Sequence, residues 1–411
     1  MNAATPLDPS PTPRVSQRRA QLAKAAADRF RKQGYQNVSI RQVAEDVGLT
    51  APALYRHYKN KQSLLHAALN VDLERAEALV AETRNMPFED ALALFAEAAL
   101  HHRNFWVLLQ RDARHLDSTL LADAGMRFSA IGDHIHTLLK RVYPNTPERT
   151  LRLAAVSTLA VLGSPSLISV DMAHSTYRRW LAAAADSASR PCHTTTTFSE
   201  SYSHDRDHFD NRRALSPQSH SDSIRDLLLT AAIRQFHEHG YHSVTMESIG
   251  KETGIAASSI YHYFPAKSDL LAGGLFRVSE ELAINRIKLS DSALSPAQRI
   301  QRLVHDFVGL ALANRELFGL YVVESMSLDS ADAHHIRQAL RAELEFWTRS
   351  LQTLRSDLTN PAARVLIHAA RSVVNDVVRI GNLRQRPGIS TDLKAIVMAI
   401  LLTPRDRTHA I

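Results

Sequence analysis

The chain has 411 residues, 45% hydrophobic, 22% charged and 6% aromatic, enough apolar material for two or three domains with cores of their own. Lys and Arg number 49 against 42 Asp and Glu, a net charge of +7, too mild by itself to name nucleic acid as the partner. A single cysteine, Cys192, excludes a disulfide framework and a multi-cysteine zinc site, and the longest apolar run, residues 395–402, falls well short of the roughly 18 residues of a membrane span.

Residues 1–13 carry four prolines and read as a tail. They hold no apolar run of the signal-peptide kind, so a cytoplasmic chain is expected. Next come helical patterns. Leu22, Ala26 and Phe30 recur at i, i+4 and i+8, one apolar helical face, and Gly34 stops that helix. Ser39 is a good N-cap, with Gln42 three residues on to complete a capping box. Ile40, Val43 and Ala44 form the second apolar face, which Gly48 ends. Thr50 caps a third helix expected to run to about Tyr58. Two short helices joined by a glycine turn make a helix-turn-helix. Residues 67–186 then show longer amphipathic helices punctuated by Pro87, Pro144 and Pro147.

From 187 to 221 the chain is rich in Ser, Thr, His and Asp and poor in aliphatic residues, a linker by composition. After it the pattern repeats. Residues 23–69 and 229–275 align without a gap at a shift of 206, with 13 identities over 47 positions. Gly34/Gly240, Tyr35/Tyr241, Gly48/Gly254, Tyr55/Tyr261 and Lys61/Lys267 are among them. In the second copy Thr245 is the N-cap of the second helix, and Ala256 replaces Thr50 as a weaker cap. A fainter echo follows at a shift of 212, where Arg103-Asn104-Phe105-Trp106 matches Arg315-Glu316-Leu317-Phe318. The predicted architecture is all-α, with boundaries at 14–66 and 222–272 for two heads, 67–186 and 273–404 for two helical bodies, and 405–411 for a tail.

The strings Leu54-Tyr55-Arg56-His57-Tyr58 with Lys61, and Ile260-Tyr261-His262-Tyr263-Phe264 with Lys267, each follow a Gly-(Leu/Ile) turn. In these residues each half resembles the DNA-binding domain of the TetR/AcrR family of transcriptional regulators. The resemblance covers about 47 residues per half. It implies two tandem TetR-like units, each a three-helix DNA-binding head followed by a ligand-binding and dimerising helical domain. The third helix would enter the major groove. It would present Thr50, Ala51, Pro52 and Ala53 to the bases in the first half, and Ala256, Ala257, Ser258 and Ser259 in the second. The resemblance puts Tyr55, Tyr261, Lys61 and Lys267 on phosphates, and Ser39 and Thr245 offer a hydroxyl at a helix start. Arg56, His57, His262 and Tyr263 are further contact candidates.

The implied partners are an operator in double-stranded DNA and a small apolar or amphipathic effector. Pocket candidates are Phe105, Trp106, Leu109, Arg111, His115 and Phe128 in the first body. In the second they are Phe318, Tyr321, Phe346 and Trp347. Segments resembling the family's dimerising helices are 149–162 with 171–184, and 361–378 with 392–402, which allows a pseudo-dimer within one chain or a homodimer of tandem chains. No cofactor, metal motif or catalytic constellation is found, so an enzyme is not expected; a helical ligand carrier is the distant alternative. A nearer one has only the first head on DNA.

The charge is unevenly placed. Residues 14–66 hold 11 basic and 3 acidic residues, a net of +8; residues 220–272 hold 4 basic and 6 acidic, a net of −2. The first head is therefore expected to supply most of the electrostatic grip on DNA. The second, with His237, His239, His242 and His262, is expected to bind weakly and to gain as pH falls toward about 6.

Overall fold

The structure, a computed structural model, describes residues 13–166, 168, 170–191, 220–324, 328 and 330–404. Among these residues all regular structure is helical. No helix there is long and apolar enough to cross a membrane. The tails, and the linker from 192 to 219, lie outside the described residues.

The first half runs α1 (Pro13–Gln33), α2 (Ile40–Asp46), α3 (Ala51–Tyr55), α4 (Lys61–Thr83), α5 (Phe88–His101), α6 (Arg103–Val107), α7 (Ser118–Val142), α8 (Glu148–Gly163) and α9 (His174–Ser189). The second half runs α10 (His220–His239), α11 (Met246–Thr253), α12 (Ala257–Tyr263), α13 (Lys267–Ser290), α14 (Pro296–Ala313), α15 (Arg315–Glu324), α16 (Ser330–Leu354), α17 (Asn360–Arg379), α18 (Gly381–Arg384) and α19 (Ile389–Leu401). The repeat holds well beyond the heads. At a shift of 212, α7 and α16 coincide at both ends, α8 and α17 start together, and α5/α14 and α9/α19 end together.

Each head folds for the reasons its sequence supplies. Leu22, Ala26 and Phe30 of α1 are fully buried against Val43, Leu54, Leu64 and Leu65. Ser39 and Gln42 close the expected capping box on α2, and Thr245 closes one with Ser248 on α11. Gly48 and Gly254 adopt left-handed backbone at φ of 69° and 72°, which bends the chain from the second helix toward the third without Cβ strain.

Three expectations need correction. Thr50 stands at the N-cap of α3 with extended backbone, but its side chain makes no capping bond. The helix stops at Tyr55 rather than near Tyr58; beyond it a tighter turn carries His57 N to Leu54 O at 2.8 Å and Tyr58 N to Leu54 O at 3.0 Å. The polar stretch expected from residue 187 begins later. α9 continues to Ser189, and Ser187, Ala188 and Ser189 are buried, because Ser187 and Ser189 find hydrogen bonds there.

The chain divides into two compact units. One comprises residues 1–84 and 101–131, the other residues 85–100 and 132–411. In the second unit α8 and α9 of the first half pack against α17 and α19 of the second as a four-helix bundle. Small and branched residues line it: Ala154, Ala155, Leu181 and Ala185 from one half, Leu366, Ala370, Val373 and Val397 from the other, all buried. Among the described residues, polar links also cross between the halves. Thr403 Oγ1 donates to Ser187 Oγ at 3.0 Å, and Arg386 Nη1 donates to Arg149 O at 3.1 Å.

Candidate nucleic-acid interface

In the first head, the short α3 sets Leu54 inward and turns Tyr55 and Arg56 outward. Tyr55 is 53% exposed and Tyr261, its counterpart, 49%. Neither phenol is a core residue, and the core role falls to Leu54 and Ile260 beside them. Thr50, Pro52 and Arg56 are exposed, while Ala51, Ala53 and His57 are half-buried. On α12, Ser258 and His262 are exposed, and Ala257, Ser259 and Tyr263 half-buried. Ser39 and Thr245 are exposed at the α2 and α11 starts, where both hydroxyls are engaged in their capping boxes.

Lys61 and Lys267 are placed differently from surface cations. Each opens the fourth helix of its head and lays its ammonium over the tyrosine of the preceding Gly-Tyr turn, 4.3 Å from the Tyr35 ring centre and 4.4 Å from Tyr241. Lys61 Nζ donates to Gln36 O at 3.4 Å, and Lys267 Nζ to Tyr241 O and Val244 O at 2.8 Å each. Burial pulls the Lys61 pKa down, and nearby Asp112 opposes that shift. Both lysines brace the turn that positions the second helix.

The remaining cations divide the heads. Lys24, Lys32, Arg56 and Lys59 of the first head are exposed. Arg19 stacks 5.1 Å from the Tyr58 ring centre, and its carbonyl accepts from Tyr58 Oη at 2.9 Å. Arg18 and Arg19 are thus part of the α1 helix start; the side chain of Arg14 lies outside the described ones. In the second head Arg225 donates to Tyr263 O at 2.6 Å and covers Phe264, Arg234 pairs with Glu252, and Lys267 is spent on the turn. Lys251 alone of its four basic side chains is exposed without a hydrogen bond or ion pair among the described residues.

The histidine expectation for this head also changes. Gly319 of α15 approaches His237 so closely that a Cβ there would come within 2.9 Å of the ring. Burial, reinforced by Arg379 and Arg315 and opposed by Glu316, lowers the His237 pKa. That direction runs against the expected gain of charge at this position; His239, His242 and His262 are exposed.

The pocket candidates of the first body separate into two sets. Phe105, Trp106 and Phe128 come together, with ring centres 6.1 and 5.2 Å from Phe128. Leu109, Arg111 and His115 pack on the head instead, as Phe105 also does. Arg111 is buried, pairs with Asp112 at 2.8 Å, and donates to Phe30 O and to Arg31 O at the end of α1. Asp112 Oδ1 accepts from Tyr35 N at 3.1 Å. His115 stacks on Tyr35 at 4.8 Å, and Leu109 packs on the head core. The reason is electrostatic. The last carbonyls of α1 carry the negative end of its dipole and need donors, which the guanidinium supplies. Asp112 was missed in the sequence because neither charge nor spacing marks a carboxylate as buried. In the second body Phe318 and Trp347 are buried on either side of Phe307, each 5.7 Å from it, and Phe346 is half-buried. The Tyr321 side chain lies outside the described ones. A groove of about 440 Å³ on the second head is lined by Arg234, Gln235, Ser248 and Glu252, which already pair with one another, and is no effector site.

Two heads of this geometry define the class: a helix-turn-helix protein with two such heads, helical throughout its regular structure among the described residues. The description "Bacterial regulatory proteins, tetR family" matches at residues 22–68 and again at 228–273. Both helix-turn-helix segments thus match that family, two units in one polypeptide. It is 31% identical over 81 residues to the HTH-type transcriptional regulator BetI of Agrobacterium fabrum, covering 20% of this chain and 39% of that one. It is 31% identical over 126 residues to the HTH-type transcriptional repressor KstR2 of Mycobacterium tuberculosis, covering 29% of this chain and 60% of that one. The chain thus spans between about two fifths and three fifths of the length of these relatives. The solved structure of the ketosteroid transcriptional regulator KstR2 of Mycobacterium tuberculosis superposes with a TM-score of 0.40 at 20% identity, over 45% of this chain and 95% of that one.

Proposed function

We propose that the protein is a sequence-specific DNA-binding transcriptional regulator that works as a pseudo-dimer within one chain. The observation that carries this is the bundle in which α8 and α9 pack on α17 and α19. The helices that resemble the family's dimerising pair occur twice, and each pair meets the other internally. The exposed tyrosines Tyr55 and Tyr261, with Thr50, Pro52, Arg56, Ser258 and His262, are the contacts offered to DNA. Ala51, Ala53, His57, Ala257, Ser259 and Tyr263 flank them, while Ser39 and Thr245 present helix starts to phosphates. Lys61 and Lys267 act chiefly by bracing the turn. Since the third helices differ, the operator has two unlike half-sites.

Repression fits the mycobacterial relative, a transcriptional repressor. An apolar or amphipathic effector in a helical body would release DNA by favouring a different head arrangement, which requires unequal affinity for the two states. Footprinting the intact chain on DNA next to its own gene tests this. One chain per operator with unequal half-sites is the expected result. A perfect palindrome protected equally on both arms by two chains would sink it.

One observation favours a second reading, in which the first head alone grips DNA: three of the four basic side chains of the second head are engaged by partners within it. Tyr261→Ala with His262→Ala decides between them. Unchanged operator affinity supports the single-head reading, and a loss of tenfold or more supports two working heads.

A further inference from the structure

The third helix of each head is short, five residues in α3 and seven in α12, and a helix of that length has little rigidity of its own. Neither is held at its start by a side chain: Thr50 makes no capping bond, and Ala256 has no group to make one. Leu54 and Ile260 anchor the two helices in the head cores. A tie at the far end, to the first helix of the head, completes the hold.

The two heads make that tie with donors on opposite sides. In the first, Tyr58 is buried and its Oη donates to Arg19 O of α1 at 2.9 Å, with the Arg19 guanidinium 5.1 Å from the ring centre. In the second, the counterpart of Tyr58 at a shift of 206 is Phe264, equally buried but without a hydroxyl. There Arg225 of α10, the counterpart of Arg19, lies 4.5 Å from the Phe264 ring centre and donates from Nη1 to Tyr263 O at 2.6 Å. A guanidinium on the last carbonyl of a helix is favoured by the helix dipole as well. Each buried ring hangs from the core residue next to the outward tyrosine: Tyr58 N donates to Leu54 O at 3.0 Å, and Phe264 N to Ile260 O at 2.9 Å. A displacement at the tie therefore reaches Tyr55 or Tyr261. Lys61 and Lys267 brace a different place, the turn ahead of the second helix. Arg19 and Arg225 also precede the segments 22–68 and 228–273 that match the family.

We infer that Tyr58 and Arg225 are positioning residues of operator recognition, each setting the third helix of its head by tying the end of that helix to the first helix. The inference rests on the DNA-binding reading. It goes beyond that reading in naming two residues whose effect runs through the placement of the helix. It also makes the two ties interchangeable, a phenol in one head doing what a guanidinium does in the other.

The test uses the intact chain, the operator found in the DNA next to its own gene, and random DNA of the same length. Phosphate contacts set the affinity for random DNA and the salt slope, whereas helix placement sets the preference for the operator. Tyr58→Phe removes the first tie and no charge. It is expected to lower operator affinity about fivefold and to leave random-DNA affinity and the salt slope unchanged. Equal loss on both DNAs, or no loss on either, would overturn the Tyr58 assignment. Arg225→Met removes a tie and a charge together; Arg225→Met/Phe264→Tyr returns the tie without the charge. The single variant is expected to need about fivefold more protein to protect the second half-site in a footprint, and the double variant to recover most of that. No recovery would mark Arg225 as a charge contact and overturn its assignment, as would a wild type that leaves the second half-site unprotected. Hydrogen exchange without DNA gives a second readout. The amides of residues 261–263 are expected to exchange faster in Arg225→Met and to slow again in the double variant, and unchanged exchange would overturn the tie. Absence of operator binding by the wild type would count against the DNA-binding reading itself and leave the exchange result to stand separately.

Discussion

At the scale of single residues, position decides what a charge does. Arg56 and Arg111 look alike in the sequence, yet one is exposed beside Tyr55 and the other is buried with Asp112 under the end of α1. Arg56→Ala is expected to weaken binding to specific and random DNA alike and to lower the salt dependence by about one phosphate contact. Titrations at several salt concentrations check it. Arg111→Met leaves Asp112 buried without its guanidinium partner and removes a donor from Phe30 O and Arg31 O. Breaking a buried pair in this way costs about 3 kcal/mol or more, read as a lower urea midpoint for the first unit. Nothing in local sequence separates these two arginines, because burial is set by what packs over them.

At the scale of elements, the helix starts were legible and the ends less so. A cap is a bond between neighbours in sequence, so Ser39 with Gln42 could be read directly, and Ser39→Ala is expected to cost about 1 kcal/mol. The end of α3 depends on how the next residues pack, and Tyr58 leaves the helix to bond with Arg19 of α1. The α1–α2 contact predicts a pH response. Arg29 pairs with Asp46 at 2.5 and 2.7 Å, and that hydrogen bond foremost lowers the Asp46 pKa. A carboxyl with a depressed folded pKa contributes stability that is present above its unfolded value, about 4, and lost as pH falls through the folded value. Acid unfolding of the first unit should therefore steepen below about pH 4, and Asp46→Asn should flatten it.

At the scale of the whole molecule, the bundle of α8, α9, α17 and α19 buries within one chain the helix faces that we propose stand in for a dimer interface. Sedimentation equilibrium is expected to return the mass of one chain over a wide concentration range, and a concentration-dependent dimer would contradict the pseudo-dimer. The heads it carries are electrically unlike, +8 against −2. As isolated fragments, residues 14–84 are expected to bind random DNA with a steep salt dependence. Residues 220–290 are expected to bind it barely at all, because Arg225, Arg234 and Lys267 are held by partners within the fold. Equal salt slopes would refute the asymmetry.

The repeat, the all-helical class, both heads and the uneven charge follow from sequence alone, since each rests on local pattern or on counting. Tyr55 and Tyr261 were marked as contact residues by the resemblance, and both are exposed. What only the tertiary structure decided is which polar groups are buried. Lys61, Lys267 and Arg111 became braces, and His237 was packed against Gly319. Those outcomes depend on neighbours distant in sequence, whose approach sets both the hydrogen-bond partners and the loss of water.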